Sequence, residues 1–286
     1  MTLKVYGSRG SAAVAQKTKY GGNTTCMVLE HENNMLILDG GSGIINLDTE
    51  MRERFAGWPT DVPFSVDILV SHLHVDHIIG LPFFSPMWRP GCDIRLHTKN
   101  RGENPLTEQI FGAFVPPYWP ISLSAICQAK CLPIDGEFTI GGLTITPFEG
   151  LHPDETLHFH ITNGKETMVY LIDSEIYADN IPQYVQDKCQ GADLVVFDVS
   201  YMEASLSQKK GWGHSSVEQG IKFAEVCNCK QVLFSHYGHE YKDYELDSLR
   251  KAAFAHYGDK FIFAREGLVI NLGNQKISYK LQRFSK

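Results

Sequence analysis

Residues 70–80 read VSHLHVDHIIG and place His72, His74, Asp76 and His77 within one short segment. The segment follows a mostly apolar stretch, a pattern typical of a buried strand. Alternate residues of an extended chain point the same way, so His72 and His74 can face one point. Imidazole and carboxylate groups favour zinc, manganese or iron over calcium. One open catalytic ion typically takes three protein ligands, so four such groups predict two ions, each completed from elsewhere in the chain.

Composition indicates a soluble globular protein and limits its partners. The 286-residue chain is 43% hydrophobic and 21% charged, and no stretch reaches the roughly 20 apolar residues of a membrane span. A net charge of −7 without any basic run argues against extended nucleic acid, but is compatible with a small anionic substrate held by bound cations. The first residues lack the apolar core of a secretory signal. We therefore expect a cytoplasmic protein with no membrane partner.

The cysteines are expected to be free thiols. Seven is an odd number, so they cannot all pair within one chain. Two close pairs, Cys127 with Cys131 and Cys227 with Cys229, lack a second matching pair at zinc-finger spacing. Buried thiols are therefore favoured over disulfides or metal ligands.

The order of predicted secondary structure indicates the fold class. Apolar runs bounded by turn residues predict strands at 3–6, 26–30, 35–38, 66–70, 93–97, 143–148, 157–161, 167–172, 194–197 and 230–234. Ser215 and Glu218 form a capping-box pattern at the start of one helix, and 245–255 predicts another. The last residues return to strand. The chain begins with strands and continues with alternating strands and helices. This order predicts two packed sheets with helices outside them.

We expect a single domain over residues 1–286, with one unusual segment at 101–133. That segment contains NPLTEQIFGAFVPPYWPISLS, in which proline, aromatic and apolar residues are mixed. The composition is compatible with a mobile lid and with an irregular packed insert, and both alternatives remain open.

The hexapeptide HLHVDH at 72–77 resembles in full the first metal motif of the metallo-β-lactamase-fold hydrolases. The resemblance covers nearly the whole chain and implies an α/β fold, an αββα sandwich of two mixed sheets with a dinuclear site at one end. It also implies three later ligands at strand ends, matched by His152 in EGLHPDE, Asp173 in VYLIDSE and His236 in VLFSHYGHE. His239 competes with His236, which is favoured because it lies closer to the strand end.

The resemblance also implies how the ions are held. One ion is held by His72, His74 and His152, the other by Asp76, His77 and His236, and Asp173 bridges the two. The expected cofactors are two divalent metal ions, with zinc favoured and manganese or iron as alternatives.

Two later motifs resemble the phosphodiesterase and transfer-RNA 3′-processing branch of this superfamily. They are LVVFDVSY at 194–201 and GWGHSS at 211–216, and they imply a dyad of Asp198 and His214 near the leaving group. A carboxylate that orients an imidazole and raises its basicity lets it donate a proton to a leaving alkoxide. The alternative is that His214 only starts a helix. Three glycine-rich loops also resemble the front half of small bacterial phosphodiesterases: GSRGS at 7–11, YGGNTTC at 20–26 and DGGSGI at 39–44.

The chain also departs from this branch. The transfer-RNA enzymes carry a long arm between the positions matching His152 and Asp173, where only twenty residues stand here. Asp198 replaces the Glu of the family, and Phe159 and His160 stand where close relatives carry Tyr and Arg. His160 is therefore either a substrate contact or an outward-facing strand residue.

The predicted activity is hydrolysis of a small phosphodiester, such as a cyclic nucleotide, by a dinuclear metal-dependent hydrolase. Asp76 orients the attacking water as well as binding metal, while Asp198 and His214 assist departure of the leaving oxygen. The alternatives are an RNA 3′-end endonuclease and a non-hydrolytic redox or metal-binding protein on the same fold. Homodimers are usual in the resembled branch, so we expect a homodimer.

Overall fold

Two β-sheets and the helices that cover them account for the regular structure. The structure, a computed structural model, describes residues 1–16, 18–56, 64–120 and 129–279. Its strands are β1 (Thr2–Gly7), β2 (Cys26–His31), β3 (Asn34–Leu38), β4 (Phe64–Leu69), β5 (Cys92–Thr98), β6 (Ala129–Pro133), β7 (Phe138–Ile140), β8 (Leu143–Glu149), β9 (Leu157–Thr162), β10 (Thr167–Leu171), β11 (Leu194–Asp198), β12 (Gln231–Ser235), β13 (Phe261–Phe263), β14 (Leu268–Asn271) and β15 (Lys276–Tyr279). Its helices are α1 (Ile44–Ala56), α2 (Val75–Ile78), α3 (Leu106–Phe111), α4 (Gln183–Cys189), α5 (Glu203–Leu206), α6 (Val217–Val226) and α7 (Asp243–Tyr257).

Both sheets are mixed. The first has the order β15-β14-β1-β2-β3-β4-β5-β6, and the second has the order β13-β12-β11-β10-β9-β8-β7. Strands β3 to β6 are parallel in the first sheet, and β10 to β13 are parallel in the second. The other neighbouring strands pair antiparallel.

Alternate side chains of the first sheet divide between two cores. Leu29 and Leu36, which are paired across β2 and β3, belong to the core between the sheets. Their neighbours Val28 and Ile37 belong to a second core, which also contains Ile44 of α1. Strands whose alternate side chains are apolar on both faces are typical of a sheet that is covered on both sides.

Strands β11 and β12 of the second sheet are buried along their whole length. Every residue of β11 and β12 is buried, as their nearly continuous apolar sequences predict for strands covered on both faces. Helices α4, α6 and α7 contribute Val185, Phe223 and Leu246 to the core shared with these strands. Helices therefore lie outside both sheets, which confirms the predicted αββα class.

The carboxyl ends of the parallel strands carry the residues that the sequence singled out. Strand β4 leads into residues 70–80, β11 ends at Asp198, and β10 and β12 are followed closely by Asp173 and His236. Neighbouring parallel strands end side by side, so polar groups at these ends meet at one edge of the sandwich.

The predicted strands coincide with observed strands to within two residues at each end, but the predicted capping box was one residue out. The N-cap of α6 is Ser216, whose side chain accepts a hydrogen bond from the Gln219 N–H. Ser215 instead donates to the Ser174 carbonyl at 2.6 Å, which ties the helix start to the residue after Asp173. Helix α1 was not predicted, because its sequence IINLDTEMRERFA follows a glycine-rich loop without a distinct start signal.

Both described ends of segment 101–133 are packed. Ile110 and Phe111 of α3 are buried in the core that covers the first sheet, and residues 129–133 form β6 at its edge. Residues 121–128, with Cys127, lie outside the described residues, so a mobile lid stays a prediction. The six cysteines that the structure describes are free. Among the described helices, none is long and apolar enough to cross a membrane.

Arg9 joins the N-terminal loop to the loop after β12. Its side chain is fully buried, and its guanidinium donates to the carbonyls of Gly21 at 2.8 Å and Tyr241 at 3.2 Å, and to Thr18 Oγ1 at 3.2 Å. A buried acceptor left without a donor costs free energy, so one guanidinium stabilises both loops.

We predict that Arg9→Met lowers the free energy of unfolding by about 1–3 kcal/mol, the cost of an unsatisfied buried acceptor, because the Tyr241 carbonyl loses its donor while the Gly21 carbonyl still accepts from Thr18 Oγ1. Arg9→Lys should not restore stability, since an ammonium cannot reproduce the planar fork. Denaturant unfolding measures the free energy of unfolding of both variants. The control is Lys251→Met, at an exposed position of α7, with an expected loss below about 1 kcal/mol. Equal losses in the two Met variants would contradict the role of Arg9.

Candidate metal centre

Three histidines and one aspartate form the first group of metal-capable side chains. Ligand atoms of His72, His74, His152 and Asp173 all lie within 4.8 Å of one another. His72 Nε2 is 3.3 Å and His152 Nε2 is 3.8 Å from Asp173 Oδ2. The rings of His72 and His74 lie with centroids 4.4 Å apart, as alternate positions of one extended segment allow.

A second group meets the other oxygen of the same carboxylate. Ligand atoms of Asp76, His77 and His236 also lie within 4.8 Å of one another. His236 Nε2 is 2.9 Å and His77 Nε2 is 3.3 Å from Asp173 Oδ1. The two oxygens of Asp173 thus face different histidine groups. The structure brings together all seven residues that the sequence analysis proposed as metal ligands.

The buried polar atoms of this cluster suit divalent ions. His72 Nε2 and Asp173 Oδ1 are buried and make no hydrogen bond to any described residue. Burial lowers the pKa of His72 to about 4, which keeps the imidazole neutral, the form that binds a metal. Neutral imidazoles combined with carboxylates are donors for zinc, manganese or iron. The residues present therefore fit divalent metal ions.

Asp39, which the sequence analysis treated only as part of a glycine-rich loop, orients His77. Its Oδ2 lies 2.9 Å from His77 Nδ1 and accepts hydrogen bonds from Ser71 Oγ at 3.0 Å and Tyr170 OH at 2.8 Å. Its Oδ1 accepts from the Ser71 N–H at 2.8 Å. A carboxylate on the second ring nitrogen fixes the tautomer of a metal-binding histidine. The signal that could have found Asp39 is its place at the carboxyl end of β3, beside β4.

Two further residues that the sequence analysis missed also contact the cluster. Asp154 Oδ2 lies 2.6 Å from His74 Nε2, which leaves Nδ1 of that ring for a metal. The fully buried His158 places Nε2 3.4 Å from the Asp173 carbonyl oxygen. Asp154 lies in EGLHPDE, two residues after His152, whereas no quoted motif contains His158. The two contacts join residues 80 and 15 positions apart.

Three buried polar residues of the centre have left-handed backbone conformations. Asp39, Asp173 and His236 have φ values of 59°, 57° and 62°. Such conformations cost of order 1–3 kcal/mol each for residues other than glycine, and they concentrate at functional sites. Here each one turns the chain just beyond a parallel strand and directs the side chain into the cluster.

Asp198 and His214 form a hydrogen-bonded pair beside the second group. His214 Nδ1 lies 2.7 Å from Asp198 Oδ2, and Asp198 also accepts from the N–H groups of Ser200 at 2.8 Å and Asp173 at 3.1 Å. The His214 ring stacks on that of His236, with centroids 5.3 Å apart. Although burial opposes both shifts, the pair raises the pKa of His214 and lowers that of Asp198 to about 2.

The pair is close enough to the cluster to bind a metal ion itself. Ligand atoms of Asp198, His214, Asp173 and His236 also lie within 4.8 Å of one another. Both Asp198 oxygens already accept hydrogen bonds, which favours an orienting role over metal binding.

The other two candidate histidines lie outside these groups. His239 is exposed, whereas His236 is fully buried. His160 is half-buried on β9, opposite Thr146 of β8 and Val169 of β10, and its Nδ1 has no hydrogen-bond partner among the described residues. Its role as a substrate contact stays a prediction.

The loop GSRGS packs directly against the second group. The Ser11 N–H donates to Asp76 Oδ2 at 2.7 Å. A Cβ atom on Gly10 would lie 2.3 Å from His236 Nδ1, closer than any real contact allows. His236 cannot move aside easily, because its ring lies between those of His77 and His214, at centroid distances of 5.2 and 5.3 Å.

We predict that Gly10→Ala displaces His236 and lowers the metal content of purified protein, whereas the folded fraction changes little. The control is Gly136→Ala, where a Cβ would meet nothing within 4 Å. Elemental analysis after dialysis, with circular dichroism for folding, measures the effect. Equal metal content in the two variants would show that the close approach of Gly10 to His236 is not required.

The chain matches a known domain family and has named relatives along nearly its whole length. The beta-lactamase superfamily domain matches residues 37–237, more than half of the chain. The chain is 23% identical over 269 residues to the probable metallo-hydrolase YhfI of Bacillus subtilis (strain 168), which covers 94% of this chain and 99% of that relative. It is 24% identical over 313 residues to a ribonuclease Z of Nitrosopumilus maritimus (strain SCM1), which covers 91% of this chain and 97% of the relative.

A solved structure gives the same fold. The crystal structure of a diphosphatase from the PhnP family has a TM-score of 0.68 at 17% identity, covering 98% of this chain and 99% of the other. The names of the two relatives support the prediction of a hydrolase, and a metallo-hydrolase family implies divalent metal ions. The chain belongs to the beta-lactamase superfamily domain family.

Proposed function

We propose that this protein is a two-ion phosphodiesterase that hydrolyses a small phosphodiester, such as a cyclic nucleotide. The observation that carries the proposal is the position of Asp173, whose Oδ2 faces His72 and His152 while its Oδ1 faces His77 and His236. A carboxylate that faces two separate groups of ligands is suited to hold two cations side by side, since its negative charge offsets their repulsion.

The proposed ligands divide as the sequence analysis expected. The first ion would be held by His72, His74 and His152, the second by Asp76, His77 and His236, with Asp173 shared. Zinc is the favoured metal, and manganese or iron are the alternatives. Divalent ions in such a pair polarise phosphoryl oxygens and supply a water of lowered pKa.

Asp76 is positioned to orient the attacking water. The described contacts of its carboxylate, to the Ser11 N–H, His77 and His236, all involve Oδ2. Oδ1 therefore has acceptor capacity for a water at the mouth of the cluster. This role is additional to metal binding and depends on the GSRGS loop, which fixes the carboxylate through Ser11.

His214 is positioned to give a proton to the leaving oxygen. Its Nδ1 is taken by Asp198, so Nε2 is the atom that can face the substrate. The His214 ring lies between those of His236 and His152, at centroid distances of 5.3 and 6.0 Å. A proton held there lies close to both proposed ion sites, where a departing alkoxide would need it.

The names ribonuclease Z and diphosphatase both favour a substrate with phosphoryl groups, and ribonuclease Z makes RNA the second candidate. Against RNA, the twenty residues between His152 and Asp173 consist largely of the antiparallel pair β9 and β10, and the net charge is −7. A redox or metal-binding role on the same fold is the third alternative. Tightly bound iron with visible absorbance would favour it, whereas zinc or manganese would favour hydrolysis.

Turnover tests distinguish these activities directly. Purified protein with zinc or manganese would be assayed with cyclic nucleotides, bis-p-nitrophenyl phosphate, a transfer-RNA precursor, lactams and thioesters. We expect turnover of the small phosphodiesters. Turnover of a lactam or thioester alone would refute the proposal, and cleavage of the RNA precursor alone would favour the endonuclease. The homodimer and the cytoplasmic location stay predictions from the sequence.

We predict that Asp173→Ala reduces the metal content well below two ions per chain, because removal of the shared oxygen pair leaves the two cations to repel each other. Elemental analysis of dialysed protein measures this. Asp187→Ala, at an exposed carboxylate, is the matched control. Retention of both ions and of full activity by Asp173→Ala would show that another residue holds the ions together.

We predict that His214→Ala keeps the metal content and slows cleavage of a nucleotide diester by about a hundredfold to ten-thousandfold, the range of general acid catalysis. Cleavage of a nitrophenyl diester should fall far less, since a nitrophenolate leaves without a proton. His256→Ala, on the exposed face of α7, is the control. Equal losses on both substrates would indicate a structural role for His214.

A further inference from the structure

One closed loop supplies part of the first histidine group and no part of the second. Residues 150–156 begin and end together, because the Gly150 N–H donates to the Thr156 carbonyl at 2.8 Å. The loop carries His152 and Asp154, and the Asp154 N–H lies 3.2 Å from His152 Nδ1. Just beyond it, the Leu157 N–H donates to the Ser71 carbonyl at 2.9 Å, beside the metal motif.

Asp154 acts on His74 as Asp39 acts on His77, but in a different environment. The side chains of His77 and Asp39 are both 0% exposed. The side chains of His74 and Asp154 are 45% and 66% exposed. The second pair is therefore open to water and mobile ions, which weaken an exposed contact between an imidazole and a carboxylate.

Two cations that follow β5, Lys99 and Arg101, contact the loop. Lys99 Nζ lies 2.9 Å from Glu149 Oε1 and 3.5 Å from Glu155 Oε1. The Arg101 guanidinium donates to the Glu155 carbonyl oxygen. These contacts join the loop to the residues that follow β5. Because the loop carries both His152 and Asp154, its displacement would move His152 and remove the contact of Asp154 with His74.

We propose that the two ion sites are unequal: the site of His72, His74 and His152 is the exchangeable one, and Asp154 is the positioning residue that sets its affinity. The proposal rests on the two-ion centre of the proposed function. In this arrangement two of the three histidines of one site depend on a single exposed loop. The histidines of the other site, His77 and His236, are buried in the core and held by Asp39, Ser200 and Asp198.

The test is competition of metal-free protein with a chromophoric chelator for zinc, which measures the affinity of each ion. Wild type should bind one ion tightly and one more weakly. Asp154→Asn should weaken the weaker ion by about 10–100-fold, the usual effect of losing a carboxylate that orients a metal-binding histidine, and leave the tight ion unchanged. Asp154→Glu should recover part of the loss, because an exposed loop leaves room for the longer carboxylate.

The two sites are assigned with a second mutation. In a His236→Ala background, Asp154→Asn should still weaken zinc binding, whereas in a His74→Ala background it should have no further effect. Arg101→Met should weaken the same ion in the same direction as Asp154→Asn. The control is Asp187→Asn, at an exposed carboxylate outside the cluster, with no expected change.

The outcomes separate the two-ion centre from the inequality of its two sites. Wild type that binds fewer than two ions would refute the two-ion centre itself. Wild type that binds two ions with equal affinity would overturn the inequality and leave the two-ion centre intact. If Asp154→Asn leaves both affinities unchanged, or weakens them equally, Asp154 is not the residue that sets the affinity of the weaker site. An equal effect of Asp154→Asn in the His74→Ala background would show that it does not act through His74.

Discussion

The buried carboxylate of Asp173 is the group around which the candidate centre is organised. Four histidines approach its two oxygens, at distances between 2.9 and 3.8 Å. Its own backbone is held from both sides, since its N–H donates to Asp198 and its carbonyl oxygen meets His158. Although burial opposes the shift, the neighbouring aspartates raise the pKa of His77 and His236 well above their usual range, because a buried negative charge is costly unless a cation accompanies it. That cost is the physical reason for reading the cluster as a metal centre.

The fold delivers this carboxylate and its neighbours from two sheets. Asp39 follows β3 and the HLHVDH motif follows β4 in the first sheet, whereas Asp173, Asp198 and His236 come from the parallel strands of the second. Neither sheet alone carries both histidine groups. Packing of the sheets through their shared core therefore assembles the centre, and Arg9 and Gly10 fix the N-terminal loop against it.

Sequence reasoning found most of the strands and the main cluster because both leave local signals. Apolar runs marked the parallel strands β3, β4, β5, β10, β11 and β12 but missed β6 and β13, and HLHVDH with isolated acids and histidines at strand ends marked the cluster. The partners Asp39 and Asp154 escaped because their contacts join residues 38 and 80 positions apart, at which no local pattern exists. The N-cap of α6 was misplaced by one residue, because Ser215 and Ser216 are both capable caps and tertiary contacts, such as that of Ser215 with Ser174, distinguish them.

The central claim is that two ions, joined by Asp173, carry out phosphodiester hydrolysis. Its most direct test titrates metal-free protein with zinc while bound ions per chain and hydrolysis of a nucleotide diester are followed together. The account predicts binding of two ions per chain, with hydrolysis appearing as the second ion binds. Full hydrolysis with one ion bound, or two bound ions with no hydrolysis of any phosphodiester, would contradict it.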